Sequence, residues 1–492
     1  MIIMLKRINA HKLRHIPCSM YSTISTLSAQ EPQPMSELIQ ELCTLVSTPI
    51  GGLDDLESSL SEHRVPLTAP LVVQVVKRCK EEAPTRRLLR YFTWSCKNLG
   101  SELEDREFNC AIRVFAEKKD HRAVDILLSD LRKDGRVLEA ETFSVVAEVL
   151  VKVGREDDAL GIFKNLDLFK CLQDKTTVAS IVNALCAKGH AKRAEGVLLH
   201  HKDKISGVES CVYKSILYGW SMQQNVKEAR RILQEMKSKN ITLDLYCFNT
   251  FLKCLCECNL KNNPSGLVPE ALNVMMEMRT YKIIPNSVSY NVLLSCLGRA
   301  RRVKESLKLL DSMRRSGCAP DWTSYYLVAR VLYLTGRFGK GNQMVDMMME
   351  VGLVPPAKFY YHLIGVLCGV ERVNHALELL DRMKNSSVGN YGPMYDVLIS
   401  KLCRSGDFEK GKELWDEAKE MGIFLECSRD VLDSSITKVF QPKWKEKVRE
   451  PADQTKPDTQ VLNSKLSGHR NPQKRRSKRK QRGRSKKKAA ST

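Results

Sequence analysis

The chain has 492 residues, of which 43% are hydrophobic and 28% are charged, and its formal net charge at pH 7 is +22. This apolar content excludes a wholly disordered protein, and no apolar run approaches the roughly 18 residues that a membrane-spanning helix needs. The positive charge is concentrated at the ends, because residues 467–492 hold twelve Lys or Arg, residues 1–30 hold four, and neither segment contains an acid.

Residues 1–30 have the composition of a targeting sequence. The segment is basic and free of acids, and Lys6, Arg7, Lys12 and Arg14 interrupt its apolar residues. A secretory signal would need a longer apolar stretch, so the pattern predicts a transit peptide, for the mitochondrion first and the chloroplast second. A disordered basic terminus is the remaining interpretation.

A small residue returns every 35 residues along most of the chain. Because only small side chains fit where two helices cross closely, this spacing predicts a repeated helical unit. Each unit of such an array packs only on its neighbours, which explains how a long chain can fold without one large core. The series, with one step of 42 residues before its fourth member, is Ala159, Ala194, Ala229, Ala271, Ser306, Gly341, Ala376 and Gly411.

The segment 287–321, SVSYNVLLSCLGRARRVKESLKLLDSMRRSGCAPD, shows the pattern within one unit. Two stripes of apolar residues at helical spacing are separated by Arg301 and Arg302. Gly317 ends the second helix, and Pro320 prevents its continuation. The segment therefore predicts an αα-hairpin, and neither of its helices can bury its apolar stripe alone.

This unit resembles the pentatricopeptide repeat, in the P-class form of plant organellar proteins. The match includes the opening V-S-Y-N, the closing G-C-A-P-D and the 35-residue period, and a second copy, PMYDVLISKLCRSGDFEKGKELWDEAKEMGI, begins at Pro393. A tetratricopeptide array is the nearest competitor, but its period is 34 residues and the P-D and P-N ends here argue against it. The resemblance implies an all-α fold, a right-handed α-solenoid superhelix of tandem αα-hairpin repeats.

The repeats divide the chain into five parts. We expect a transit peptide over 1–30, N-terminal capping helices over 31–69, about ten repeats over 70–426, a C-terminal capping segment over 427–441 and a disordered basic tail over 442–492. The tail could hold RNA phosphates or act as a nuclear-localisation signal. The expected units are 70–104 (degenerate), 105–139, 140–174, 175–209, 210–244, 245–286, 287–321, 322–356, 357–391 and 392–426.

The unit 245–286 carries seven extra residues near LKNNPSGLVPE, which we expect to form a protruding loop.

In the family, the fifth and last residues of a unit together read one base edge of single-stranded RNA, and the second residue packs between bases. The resemblance thus implies the following RNA-binding residues: Asn291 with Asp321 for uracil, Ser144 with Asp174 for guanine, Asn249 with Asn286 for cytosine, Asn109 in a half match with Glu139, and Val288 as a second residue. The other units depart from the pattern, since their fifth residues are Ala179, Lys214, Tyr326, Tyr361 and Asp396.

Three basic residues, Lys152, Arg299 and Arg404, share a position near the end of the first helix. They are candidates for contact with RNA phosphates. Each could equally be a solvated side chain that interacts with the C-terminal helix dipole.

The cysteines predict buried thiols in a reducing compartment, since four of them occupy one shared position of the repeat. The run C-x-C-x-C at 254–258 could bind a metal ion, but Cys256 would point away from the other two thiols on a helix. The run G-x-x-x-x-G-K at 406–412 lacks the Ser or Thr and the preceding strand of a phosphate-binding loop. We therefore expect no cofactor, no metal and no catalytic site. The four cysteines that share one position of the repeat are Cys186, Cys256, Cys368 and Cys403.

By resemblance, the expected function is to bind single-stranded organellar RNA and to act in mitochondrial RNA processing, splicing, stabilisation or translation. The protein would act as a monomer, with the mitochondrial ribosome or splicing and processing proteins as further partners. The alternative is a scaffold solenoid that associates with the mitochondrial ribosome or grips protein. The departures at the fifth position favour the alternative, whereas Asn291 with Asp321 favours RNA reading.

Overall fold

The computed structural model describes residues 33–48, 51–62, 67–99, 103–385, 392–437 and 439. The expected transit peptide and basic tail lie outside these ranges. The described residues form α-helices, short 3-10 turns and loops, with no strand among them. In chain order the helices are α1 Gln33–Ser47, α2 Leu53–Glu62, α3 Ala69–Arg78, α4 Thr85–Leu99, α5 Asp105–Glu117, α6 His121–Lys133, α7 Ala140–Lys152, α8 Glu156–Lys164, α9 Lys175–Ala187, α10 Ala191–His200, α11 Glu209–Met222, α12 Val226–Ser238, α13 Leu245–Asn262, α14 Leu267–Thr280, α15 Ser287–Arg299, α16 Val303–Arg315, α17 Trp322–Leu334, α18 Phe338–Glu350, α19 Ala357–Gly369, α20 Val373–Lys384, α21 Gly392–Ser405 and α22 Phe408–Glu420.

The helices pack as hairpins in single file. From α5 onwards, each odd-numbered helix contacts the even-numbered helix that follows it and also the next odd-numbered helix. We call the odd-numbered helices leading and the even-numbered helices trailing. Because each hairpin contacts its sequence neighbours, the core runs along the stack rather than around one centre. The prediction of an all-α repeat fold is confirmed, while the right-handed sense of the superhelix stays a prediction.

Further elements pack on both ends of the array. At the start, α1 packs on α3 and α4, and α2 packs on α4. The buried Arg87 fastens this region, since its guanidinium donates to the carbonyl oxygens of Leu45 at 3.0 Å and Val46 at 3.3 Å. At the other end, the 3-10 helix Arg429–Leu432 packs on α21 and α22.

Helix starts and turns recur with the repeat. Side chains that precede leading helices accept hydrogen bonds from the first backbone N–H groups, as Asp174, Asp244, Asn286 and Asp321 do. Between the leading and trailing helices of most hairpins, one residue adopts a left-handed backbone that reverses the chain. These residues have φ between 56° and 90° and are Lys119, Gly154, Gly189, Gln224, Arg301, Gly336, Glu371 and Gly406.

The periodic small residues lie on the trailing helices and are buried against the leading helices. The residue opposite is a small thiol in several hairpins, and Cys186, Cys256, Cys368 and Cys403 are all buried and free. In the hairpin α17–α18 the sizes are exchanged. There the large Tyr333 is 1% exposed and fills the space beside Gly341, which has no side chain to oppose it.

The seven extra residues do not form the expected loop. Five of them lengthen α13 to 18 residues, compared with 13 in α15, and only residues 263–266 separate α13 from α14. The sequence contains no helix breaker before Pro264, which is why the helix continues. The extension contacts both neighbouring turns, because Lys261 Nζ lies 2.8 Å from Gln224 Oε1 and Arg302 Nη1 lies 2.7 Å from the Pro264 carbonyl oxygen.

Within the described ranges, no helix is both long and apolar enough to cross a membrane, and no group of three or more potential metal ligands comes together.

Candidate nucleic-acid interface

One face of the leading helices stays outside the core. In α15 the buried residues Tyr290, Leu294 and Leu297 point into the stack. Asn291 and Arg299 remain accessible, and Val288 is 47% exposed. The residues equivalent to Asn291 are also partly exposed in the other leading helices from α7 to α21, and adjacent leading helices are in contact. The result is a continuous surface, which we call the leading-helix face.

One hydrogen-bonded polar group on this face is the Asn291 cluster, which consists of Asn291, Asp321 and Ser324. Asn291 Nδ2 donates to Asp321 Oδ1 at 3.0 Å, and Ser324 Oγ donates to Asn291 Oδ1 at 2.7 Å. Ser324 N also donates to Asp321 Oδ1 at 2.8 Å, which fixes the carboxylate at the start of α17. These bonds orient the amide and use one of its two N–H groups, so the other remains for a ligand.

The charge on Asp321 is protected by its neighbours. Burial alone would raise the pKa of the Asp321 carboxyl, but hydrogen bonds from Asn291 and Ser324 outweigh it and lower that pKa. The Asp321 carboxylate is therefore ionised at neutral pH. It accepts a hydrogen bond from the Asn291 amide, whose N–H group points towards the carboxylate.

The unit with the lengthened helix repeats two of these three hydrogen bonds. In this Asn249 cluster, Ser289 Oγ donates to Asn249 Oδ1 at 2.6 Å, and Ser289 N donates to Asn286 Oδ1 at 3.2 Å. The residues correspond one for one to Asn291, Ser324 and Asp321. The insertion leaves this geometry intact because its extra turn lies at the far end of α13 from Asn249.

The side chains of Ser144 and Asp174 both form hydrogen bonds with nearby groups of the protein. Ser144 Oγ donates to the Ala140 carbonyl oxygen at 2.8 Å and lies 2.6 Å from Ser180 Oγ. Asp174 Oδ1 accepts from the backbone nitrogens of Thr176 and Thr177 at the start of α9. Ser144 thus bonds within α7 and across to α9, whereas Asp174 bonds to the start of α9.

Asn109 is placed differently from the other asparagines. It is 0% exposed, and its amide donates to the carbonyl oxygens of Asp105 at 2.7 Å and Val137 at 2.8 Å. Its Oδ1 accepts from the Glu139 backbone nitrogen at 2.9 Å. With both N–H groups used inside the protein, this side chain serves the packing of α5 against the following loop.

The basic candidates on the leading-helix face differ in how far acids neutralise them. Lys152 forms an ion pair with Glu148, and Arg299 Nη2 lies 2.6 Å from Glu257 Oε2. Arg404 instead lines a recess of about 300 Å³ together with Ser400, Val431 and Thr437. Of the three, Arg404 is the side chain best placed to meet a phosphate.

A contact that the sequence reading missed joins Lys214 to Asp244. These residues occupy the fifth and last places of one unit, and Lys214 Nζ lies 2.7 Å from Asp244 Oδ2. Asp396, the fifth residue of another unit, accepts from the backbone nitrogens of Glu426 and Cys427. The opposite charges of Lys214 and Asp244 are the sequence signal that could have indicated their contact, which joins the hairpin α11–α12 to the start of α13.

A single-file stack of αα-hairpins with oriented polar side chains along its leading helices defines a helical-repeat protein with a surface suited to an extended ligand. Sequence comparison identifies the repeat. The pentatricopeptide repeat domain matches residues 231–300, the PPR repeat family matches 285–332, and single PPR repeats match 211–241, 359–388 and 393–423.

A mitochondrial pentatricopeptide repeat-containing protein of Arabidopsis thaliana is 60% identical to this chain over 433 residues, which are 88% of each protein. The chain belongs to the pentatricopeptide repeat family.

Two more distant proteins are also similar. The small ribosomal subunit protein mL104 (rPPR9) of Arabidopsis thaliana is 25% identical over 271 residues, which cover 53% of this chain and 51% of that protein. The crystal structure of the pentatricopeptide repeat protein PPR10 from maize aligns with a TM-score of 0.48 and 19% identity, over 81% of this chain and 60% of that one. PPR10 in complex with an 18-nt psaJ RNA element aligns with a TM-score of 0.39 and 18% identity, over 82% and 64% of the two chains.

Proposed function

We propose that this protein binds single-stranded RNA of the mitochondrion along its leading-helix face and acts there in RNA processing, splicing, stabilisation or translation. The observation that carries the proposal is the Asn291 cluster, in which Asp321 and Ser324 hold an accessible amide in one orientation. The mitochondrial relative, which spans nearly the whole chain, supports the location. The protein would coat a strand and exclude competing structures or nucleases, without chemistry of its own.

The proposed recognition assigns successive nucleotides of the RNA to successive repeat units. The Asn249 and Asn291 clusters lie on consecutive leading helices that are in contact, so they would meet adjacent nucleotides. By the family pattern these nucleotides are a cytosine and a uracil. Ser144 with Asp174 would meet a guanine further along the strand, and Val288 would pack between bases beside Asn291. Arg404 would hold a phosphate near the end of the array.

The experiment is to crosslink the protein in isolated mitochondria and sequence the attached RNA. One or two narrow footprints that contain adjacent cytosine and uracil are expected. Purified protein would then be titrated with the footprint RNA by fluorescence anisotropy. Asn291→Ser recreates the Ser–Asp combination and should move the preference at one nucleotide from uracil to guanine, with a change of about tenfold in relative affinity, since a specific base contact is worth about 1–3 kcal/mol.

The matched control is Asn374→Ser, which alters an exposed asparagine on the trailing helix α20. This variant should bind both RNAs as the unaltered protein does. If purified protein shows no preference for its footprint RNA, or if Asn291→Ser leaves the preference at uracil, the reading role of the Asn291 cluster is wrong.

A second candidate function is association with the mitochondrial ribosome as a scaffold. Two observations favour it: the similarity to mL104 and the neutralisation of Lys152 and Arg299 by acids. Under this alternative, the protein would sediment with ribosomal subunits in a sucrose gradient, and the crosslinks would spread over ribosomal RNA. Sedimentation with light fractions together with narrow footprints on other transcripts would exclude it.

A further inference from the structure

The helices α17 and α19 present aromatic rings where neighbouring units present polar groups. Their fifth residues are Tyr326 and Tyr361, and the residue that precedes α19 is Pro356 rather than an Asp or Asn. Proline has neither a backbone N–H nor a polar side chain, so no pair like Asn291 and Asp321 can form here. This part of the leading-helix face must therefore contact a ligand through other groups than a pair of polar side chains.

Three rings lie in a row across the two helices. The ring centroids of Tyr326 and His362 are 5.8 Å apart at an interplanar angle of 51°, and those of His362 and Tyr361 are 5.5 Å apart at 57°. Tilted rings meet through an edge and do not cover each other's faces. All three side chains are partly exposed, so part of the ring surface remains open to a ligand.

The space beside these rings is cleared by glycine. Gly365 and Gly369 continue the accessible face of α19, and a Cβ atom added at either would meet nothing within 4 Å. Glycine inside a helix costs about 1 kcal/mol relative to alanine. Packing explains Gly219 on α11, where an added Cβ would lie 3.1 Å from Cys186 and Ala191. Packing gives no such reason for Gly365, which keeps room open next to Tyr361 and His362.

Two cations flank the rings. Arg330 lies one helical turn beyond Tyr326, and its guanidinium reaches towards α15, where Nη1 is 4.0 Å from the position of a Cβ on Gly298. Lys358 is exposed one turn before His362 and lowers the pKa of that imidazole, after burial, which is the larger cause. Neither cation pairs with a carboxylate from the part of the chain that the structure describes. Both are therefore available for an anion.

We propose that Tyr326, Tyr361, His362 and Gly365 form a recess, here named the aromatic recess, that takes an unpaired nucleobase by stacking and accepts any of the four bases. Arg330 and Lys358 hold the adjoining phosphates. Every base has a π-face, whereas the recess offers no fixed pair of polar groups to read an edge. The proposal rests on the proposed RNA-binding function. On this proposal, the aromatic recess binds the nucleotides that follow the uracil on the side away from the cytosine. It binds them without a preference for any base.

The decisive variant is Gly365→Leu, whose Cβ would meet nothing within 4 Å and whose longer side chain would occupy the cleared space. The matched control is Gly339→Leu on the trailing helix α18, where a Cβ also meets nothing within 4 Å. Both variants should fold, because each replaces a helical glycine by a good helix former in open space. We expect Gly365→Leu to weaken binding of the footprint RNA on the order of tenfold, the scale of one lost base stack. Gly339→Leu should leave the affinity unchanged.

Two further measurements separate stacking from other roles. Tyr361→Phe should retain binding and Tyr361→Leu should lose it, since stacking needs the ring and not the hydroxyl. An abasic nucleotide at the position opposite the recess should weaken binding of the unaltered protein as much as Gly365→Leu does. Exchange of the base at that position should change the affinity less than twofold.

The outcomes distinguish this proposal from the general one. If Asn291→Ser moves the base preference while Gly365→Leu binds RNA as well as the control, the recess does not hold a base and the proposed function stands. A change of tenfold or more on base exchange would overturn sequence tolerance. Loss of a protein partner with Gly365→Leu, at unchanged RNA affinity, would assign the recess to an apolar peptide and refute the proposal.

Discussion

The contact between Tyr333 and Gly341 predicts a large effect from a single methyl group. A Cβ atom at Gly341 would lie 3.0 Å from Tyr333 Cζ and closer still to Cδ1 and Cε1. The ring cannot easily move away, because it is 1% exposed, it packs on Phe338, and its hydroxyl donates to Asn342 Oδ1 at 2.7 Å. Gly341→Ala must therefore push α18 away from α17.

The magnitude follows from two opposing effects. Overpacking of a rigid core costs about 3 kcal/mol at the upper end of its range, and this site belongs there because backbone and ring meet directly. Replacement of a helical glycine by alanine returns about 1 kcal/mol. We expect a net loss of about 2 kcal/mol in the free energy of unfolding, measured by urea titration with circular dichroism at 222 nm.

A second substitution should relieve the strain. Tyr333→Cys in the Gly341→Ala protein recreates the pairing of Cys186 with Ala194 in another hairpin, where both residues are buried. We expect a favourable coupling energy of about 2 kcal/mol between the two changes. The control is Gly339→Ala in the same helix, where an added Cβ meets nothing within 4 Å and a small gain in stability is expected. If Gly341→Ala is as stable as this control, the size complementarity argument is refuted.

Two other predictions concern the turns and the tail. Arg301 has φ of 56° and Gly336 has φ of 75° at equivalent turns, so Arg301→Gly should raise the free energy of unfolding by about 1 kcal/mol and Gly336→Arg should lower it by a similar amount. Equal midpoints of urea unfolding for the two variants would contradict this. Removal of residues 467–492, with their twelve basic residues, should flatten the dependence of RNA affinity on salt, since each phosphate contact to a single strand contributes about −0.7 to the slope of log K against log salt. An unchanged slope would show that the tail does not touch RNA.

Sequence alone was sufficient for the repeat architecture because that architecture rests on local, periodic chemistry. Small residues such as Ala159 and Ala194 mark the helix crossings, and residues such as Asp321 mark helix starts, at intervals that can be read without coordinates. The class of fold follows from these marks. The expected loop at the end of α13 was wrong. The residues near Pro264 are polar, as loop residues often are, but no residue before the proline stops the helix.

The site was less accessible to sequence reasoning because its chemistry depends on contacts between units. Asn109 and Asn291 occupy the same place in their repeats, yet the first is buried against the Val137 carbonyl oxygen and the second is accessible. The last residues of the two units differ, Glu139 against Asp321, but this difference does not predict that one amide is buried and the other accessible. The cleared space at Gly365 is likewise a property of what surrounds the helix, and only coordinates reveal that an added Cβ would touch nothing.

The junction between hairpins has a consequence for how such a protein can change its target. The amide of Asn291 bonds to Asp321 at the start of the next hairpin, so a side chain proposed to meet a nucleotide also joins two hairpins. Lys214 joins its hairpin to the next one through Asp244. An altered specificity thus arrives together with an altered stiffness of the joint. A single substitution such as Asn291→Ser therefore changes both the base preference and the contact between two hairpins, and a second substitution across the junction can restore that contact.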